Sequence, residues 1–411
     1  MVVNVLHISP SKDLGGSRNS LLTLVQAMDR TRYNSIIALP GQGAVTAALD
    51  EIGVPWVNIC IEPFRKGKYW CKLPYEIKTL RQAIAEHHIG LIHCNEHFVV
   101  PHALTAVYNG SIMGGLFAYL RGDNVALPQT LPIVSHMRLF VRHRHVINYR
   151  LRHVQRVIAV SQNAKADFAS FSWCEDKVRA IYNAVNLEPY RQALSLRQQI
   201  RSEIGLSNED ILFGAIGMFS PRKRTQLVLE AFDAARAKNP HLKLLVIGEA
   251  RHHHEDYYRR MVQYIADQHL DSSVILLPWQ DNPAVYLAAL DINLLMSSEE
   301  GFSRVIIESG ACGVPTIASN IAPNREAVTD CATGWLVGED VKSDEEDAFR
   351  RFVPVLSDKM LALAQNLPEV RRIGSNMRSA VETKFSAAAH AVEVMNVFDE
   401  AMEDFRRQFN S

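Results

Sequence analysis

The 411-residue sequence has no excess of either charge: 44 lysines and arginines balance 44 aspartates and glutamates. A neutral total offers nucleic acid no long-range attraction, so no nucleic-acid partner is expected and a charged partner must be met by a local patch. The six cysteines form no C-x-x-C pair and no regular spacing, which excludes a disulfide framework and suits reduced thiols in the cytosol. No apolar run approaches the ~20 residues that cross a bilayer; Ile112–Leu120, among the longest, is short and holds two glycines. The opening MVVNVLHIS has no basic leader and alternates like a first strand, so a cytoplasmic protein is expected. G-x-G-x-x-G is missing too, which removes the dinucleotide fingerprint. Asp-x-Asp is missing, so neither metal nor cofactor is expected.

What is present is alternation. Val2–Ser9, Ser35–Leu39, Trp56–Ile59, Gly90–His93, Ile133–Ser135 and Val157–Val160 read as strands, separated by helical patterns such as Ser20–Met28, Ala44–Ile52 and Leu73–His87. A polar stretch, Asn186–Arg201, follows. The pattern then restarts with strands at Leu212–Ile216, Leu242–Ile247, Val274–Leu277, Ile292–Met296 and Thr316–Ala318. Such βαβα order predicts an α/β chain of two Rossmann-like parallel-sheet domains facing a central cleft. The expected divisions are a first domain over 1–190 and a second over 191–386. An amphipathic helix over 387–411 is expected to pack back on the first domain. Asp340–Ala348 reads as an acidic surface loop.

The chemistry concentrates in Asp291–Ser319. A buried strand runs through Glu300 into Gly301-Phe302-Ser303, and a helix starts at Arg304. Its first amides lack intrahelical partners and suit an anion. Glu308 lies about one helical turn inside, so the two carboxylates are offset along one ligand. A second loop, Gly217-Met218-Phe219-Ser220-Pro221-Arg222-Lys223, follows a strand and precedes a helix. A lysine there can neutralise a departing diphosphate. In the first half, Gly15-Gly16 opens a helix after the first strand, and His136 follows Ile133–Ser135. His93-Cys94-Asn95-Glu96-His97 spells a zinc-protease pattern, but on a strand end where the two histidines need not share a face. His252-His253-His254 reads as a solvated loop.

With its Glu300-x7-Glu308 pair, small-residue helix and Gly313-Val314-Pro315 strand entry, the chain resembles glycosyltransferase family 4, retaining enzymes of GT-B architecture. The resemblance implies transfer of a sugar from a nucleotide-diphosphate donor to an acceptor hydroxyl, in glycan, lipopolysaccharide or glycolipid synthesis. It implies that Glu300 holds donor hydroxyls and Glu308 the ribose. Gly301, Phe302, Ser303 and Arg304 would line sugar and phosphates, Lys223 the diphosphate, Gly16 the same diphosphate, and His136 the reaction centre. Ser303 stands for a usual glycine, and Ser309-Gly310-Ala311 for Ala-Met-Ala. The family's second phosphate cation falls at Met218, leaving Arg222 or Arg224 to supply it. A sugar-nucleotide epimerase of this architecture, or a non-catalytic sugar-nucleotide module, is the alternative reading.

One feature exceeds the resemblance. From Asn124 to Ala166 there is no acid, and Arg138, Arg142, His145, Arg152 and Arg156 recur at helical spacing. Phe64–Lys72 adds aromatics among basic residues. Both suggest a glycan or lipid-linked acceptor and a peripheral contact with an anionic membrane.

Overall fold

The computed structural model describes residues 2–62, 72–121, 125, 127–250, 254–280, 282–338 and 346–410. The segment 64–71, residues His252 and His253, Asn124, and 340–345 of the expected acidic loop lie outside the described residues. Two compact units divide the chain: Met1–Ala184 with Ala387–Ser411, and Val185–Ser386.

In the first unit the strands are β1 (Val3–Ile8), β2 (Tyr33–Leu39), β3 (Trp56–Asn58), β4 (Ile89–Cys94), β5 (Ile133–Met137), β6 (Arg156–Ala159) and β7 (Val178–Ala180). They form one sheet of order β3-β2-β1-β4-β5-β6-β7, with every neighbour parallel. Both faces of the central strands are covered, so their apolar residues run together instead of strictly alternating, broken by buried histidines at His7, His93 and His136. The last helix, Ala387–Asn410, seals one face. Its Ala391, Val394, Met395 and Phe398 pack on Val5, Leu91, Val134 and Ile158, and Arg156 at the head of β6 pairs with Glu400 and Asp404.

In the second unit β8 (Ile211–Ile216), β9 (Leu242–Ile247), β10 (Val274–Leu277), β11 (Ile292–Leu295), β12 (Thr316–Ser319) and β13 (Gly334–Val337) form a parallel sheet of order β10-β9-β8-β11-β12-β13. The polar stretch after Asn186 is ordered, as helices Glu188–Ser195 and Arg197–Glu203. Asp291 anchors the second of these, accepting from Arg197 and Arg201 at 2.6 and 3.0 Å. Asp347 and Ala348, expected in a loop, lie in helix Glu346–Ala364.

The strand order fixes where ligands can be received. In each sheet the connections run outward from a central pair, β1 and β4 in the first and β8 and β11 in the second. Loops leaving the carboxyl ends of that pair diverge and open a crevice. The loops concerned are those after Ile8 and Cys94, and those after Ile216 and Leu295.

Candidate donor and acceptor sites

In the second unit the loop after β8 turns at Gly217, whose φ of +154° lies in the region that favours glycine. The approach here is tight: a Cβ at Gly248, on the next loop, would lie 2.0 Å from the Gly217 carbonyl oxygen. Phe219 donates its amide to Glu249 at 2.9 Å, and a single helical turn, Pro221–Lys223, follows. The backbone amide of Ser298 donates to the Arg222 carbonyl at 2.9 Å, which ties the loop after β8 to the loop after β11.

That tie brings the predicted residues together. Lys223 Nζ donates to Glu300 Oε1 at 2.6 Å, and an Arg222 terminal nitrogen lies 3.4 Å from Glu300 Oε2. Burial pushes the Glu300 carboxyl up, but Lys223 and then Arg222 pull it down further, so it ends below its ordinary value. A buried carboxylate is tolerable only with such partners. Arg224 has a different place: it is buried, with its guanidinium 5.8 Å from the centre of the Phe352 ring. Of the two cations expected to replace the one missing at Met218, Arg222 is the one seen to pair with Glu300.

Gly301, Phe302 and Ser303 form the buried turn that follows, with the Phe302 ring 5.4 Å from that of Phe385. Helix Arg304–Ala311 then begins with Ser303 as its N-cap, whose own side chain makes no capping bond. Arg304 Nε donates to Glu308 Oε1 at 2.9 Å, one turn on. Tyr190, which no sequence signal marked, also faces Glu308: burial, and next the Glu308 charge, pushes its phenol well above the ordinary range. The small residues 309–311 serve packing. A Cβ at Gly310 would meet Met377 Cγ at 2.7 Å, so the helix can seat on Leu367–Lys384 only because nothing projects there.

In the first unit Gly16 begins helix Gly16–Ala27, and no atom lies within 4 Å of where its Cβ would stand. Beside it, Ser17 and Arg18 donate to Glu96 Oε1 at 2.6 and 3.2 Å, linking the loops after β1 and β4. Arg138 donates to Asn95 Oδ1 at 2.6 Å and to Asn183 Oδ1 at 3.2 Å. The role of Glu96 as a partner for Arg18 carries no sequence signal.

His136 is displaced from its expected position. β5 continues through Met137, so His136 is a strand residue with a fully buried ring, and Arg138 occupies the sheet edge. The ring belongs to a row of imidazoles. Ring centres of His93 and His136 are 5.6 Å apart and those of His136 and His390 6.3 Å, while His7 Nδ1 lies 2.9 Å from His93 Nδ1. Burial first, and then Arg138, His93 and His390, hold the His136 ring well below its ordinary pKa; it is neutral. His97 turns away from His93 to pack on Tyr149. Among the described residues no three His, Cys, Asp or Glu side chains are grouped to hold a metal ion.

The expected helical stripe of basic residues does not form. The helix there covers only His143–Asn148. Arg138 and Arg156 are strand-end residues buried in bonds of their own, and Arg152 sits in a separate helical turn. The spacing was helical, but two strands break the path.

Two doubly wound parallel sheets, with a cationic loop and a glutamate pair at the switch point of the second, place the chain among glycosyltransferases of the GT-B class. Residues 14–189 match the model of Glycosyltransferase Family 4 and residues 197–369 that of Glycosyl transferases group 1, and the chain belongs to this family. It is 22% identical to the N-acetyl-alpha-D-glucosaminyl L-malate synthase of Bacillus anthracis, across 80% of this chain and 81% of that protein. It is 30% identical to the N-acetylgalactosamine-N,N'-diacetylbacillosaminyl-diphospho-undecaprenol 4-alpha-N-acetylgalactosaminyltransferase of Campylobacter jejuni, over 47% of this chain and 48% of that one. The latter match thus spans about half the relative's length. The solved structure of Anabaena HepE with UDP-glucose shares the fold, with a TM-score of 0.77 at 19% identity over 96% of this chain and 99% of that one.

Proposed function

We propose that the chain is a retaining, metal-independent transferase that moves a sugar from a nucleoside diphosphate onto a hydroxyl of a glycan or lipid-linked acceptor, at the cytoplasmic face of a membrane. The observation that carries this reading is the meeting of Lys223 and Arg222 with Glu300 at the switch point of the second sheet, beside the amino end of helix Arg304–Ala311. Cations and helix amides are what a diphosphate leaving group requires. A depressed carboxylate is what accepts hydrogen bonds from sugar hydroxyls.

In this reading Glu300 orients the sugar, Glu308 takes the ribose, and the amides of Gly301 to Arg304 line the sugar and phosphates. Lys223 and Arg222 neutralise the diphosphate as it departs. The acceptor oxygen bonds to the anomeric carbon on the face where the carbon–oxygen bond to the diphosphate breaks. The acceptor's proton passes to a diphosphate oxygen, so no protein base is needed. On the first unit, Gly16 leaves room for close backbone approach, and Arg138 with Asn95 and Glu96 forms the acceptor-side edge above His136. Relatives named for undecaprenol-diphosphate-linked substrates, in Campylobacter jejuni and Escherichia coli, support a lipid-linked acceptor. HepE, crystallised with UDP-glucose, supports a UDP-sugar donor.

The test is a thermal-shift panel of UDP-, GDP- and ADP-sugars, since a true donor stabilises the fold according to its occupancy. Transfer to acceptors is then measured for the wild type and Glu300→Gln. Undiminished transfer by the variant would sink the assignment. Conversion of the sugar nucleotide without any acceptor would favour the epimerase instead.

A further inference from the structure

Helix Ile112–Leu120 in the first unit is built the wrong way round for a helix in water. Its sequence is IMGGLFAYL, and its buried residues are Gly115 and Tyr119. The side that meets the protein is made of small groups: a Cβ at Gly115 would lie 3.1 Å from Thr105 Cγ2 and from Tyr108 Cβ. The large apolar residues point outward. Met113, Phe117 and Leu120, at positions i, i+4 and i+7, are 52%, 59% and 49% exposed. A surface helix ordinarily buries that stripe. The base beneath is firm: the Arg81 guanidinium donates to the carbonyls of Thr105, Ala106, Tyr108 and Gly110. Ser111 caps the helix by accepting from Gly114 at 3.0 Å.

The sequence around this stripe is strongly basic, with Asp167, which accepts from the Val141 amide at 2.8 Å, as a nearby carboxylate. Between His97 and Ala166 the sequence contains a single acid, Asp123, which lies outside the described residues, against eight lysines and arginines. At its carboxyl end the helix adjoins His143–Asn148: the Tyr119 hydroxyl donates to the Asn148 carbonyl, and the Arg150 guanidinium stacks 4.5 Å over the Tyr119 ring. Arg121, Arg142, Arg144, Arg152, Leu139 and Ile147 are all exposed in this neighbourhood. A second copy docked face to face would set the exposed Arg121, Arg142 and Arg144 against their own copies, which disfavours self-association. An anionic lipid surface accepts both parts, apolar side chains below the headgroups and arginines among the phosphates. Among the described residues no helix is long and apolar enough to cross a membrane, so the contact is peripheral.

We infer that helix Ile112–Leu120 is a membrane-insertion element, seating the first unit on an anionic phospholipid bilayer through Met113, Phe117 and Leu120, with Arg121, Arg142 and Arg144 contacting headgroup phosphates. The inference extends the proposed transferase reading, since a lipid-linked acceptor would be met at that surface.

The experiment is flotation of the full chain with phosphatidylcholine vesicles and with vesicles about one-third phosphatidylglycerol. The wild type is expected to float with the anionic vesicles and about tenfold less with neutral ones, and to be released by salt. Phe117→Asp and, separately, Met113→Asp should each reduce flotation about tenfold while keeping the wild-type melting midpoint and its shift with UDP-sugar. Arg142→Glu with Arg144→Glu should reduce it on anionic vesicles only. Equal flotation of Phe117→Asp and wild type overturns the inference. So does a wild type that never floats, including one that instead forms a dimer broken by Phe117→Asp. Donor shift without flotation removes this surface and leaves the transferase reading; flotation without any donor shift does the opposite.

Discussion

Lys223 and Glu300 meet at 2.6 Å, joining the two loops that diverge at the centre of the second sheet. The first sheet has a counterpart at the same topological position, where Arg18 and Glu96 meet at 3.2 Å. Each bridge adds a side-chain link to loops already joined by one backbone bond, Ser298 to Arg222 in the second unit and Asn95 to Ile8 in the first.

Lys223→Ala leaves the buried Glu300 carboxylate with Arg222 as its remaining cation. The expected cost is about 2 kcal/mol of stability, below that of a fully buried pair that loses its partner. Transfer should fall about 10²-fold. Glu300→Gln should cost less stability and lose transfer comparably. Denaturant midpoints and turnover rates, measured together, separate the two. Equal stability for wild type and Lys223→Ala would mean that the bridge does not hold the loops.

Arg222 and Arg224 are two residues apart and should fail differently. Arg222→Ala is expected to weaken donor binding about tenfold with little change in melting. Arg224→Ala removes the packing on Phe352 and should lower stability by about 1–2 kcal/mol while donor affinity holds. Isothermal titration with the donor, beside thermal melts, would show whether the roles are reversed.

Gly248→Ala puts a methyl 2.0 Å from the Gly217 carbonyl oxygen. Backbone cannot yield as a side chain does, so a loss of more than about 2 kcal/mol is expected. Gly16→Ala meets no atom and should melt like the wild type, with any loss confined to transfer. A destabilised Gly16→Ala protein would contradict the open space seen at that helix start.

The imidazole row makes stability depend on pH. Burial, and after it the Arg138 charge, lowers His7 to about 3, and His93 and His136 are also held well below 6.5. Between those depressed values and 6.5 the unfolded chain takes up protons that the folded chain refuses. Stability is therefore full above pH 6.5 and falls as the medium is acidified, by up to about 1.4 kcal/mol per pH unit for each histidine. Chemical denaturation at pH 7 and 5.5 measures the slope, and His136→Leu should flatten it by one histidine's share. An unchanged slope would show that His136 is not among the groups responsible.

Much of the fold was legible because buried parallel strands are apolar runs at regular intervals. β9, β10 and helix Arg304–Ala311 fall where the pattern puts them. The edge strands Val178–Ala180 and Gly334–Val337 were not legible, since three or four residues carry too little pattern to stand out. Lys223, Arg222 and Glu300 were found by motif, and their convergence came from a strand order that sequence does not print. His136 was found but misplaced, because a polar residue after an apolar run looks like a strand end. Tyr190 gave no signal, and Glu96 showed only in a metal-like pattern, because the partner of each lies far along the chain.

The first unit is interrupted: its chain leaves at Ala184 and returns at Ala387. During synthesis, Val5, Leu91, Val134 and the three strand histidines must wait uncovered while some two hundred further residues are made, and only the final helix closes over them. The uninterrupted second unit can finish first. A chain cut short before residue 387 would leave that apolar face open, and aggregation instead of mere inactivity would be its fate.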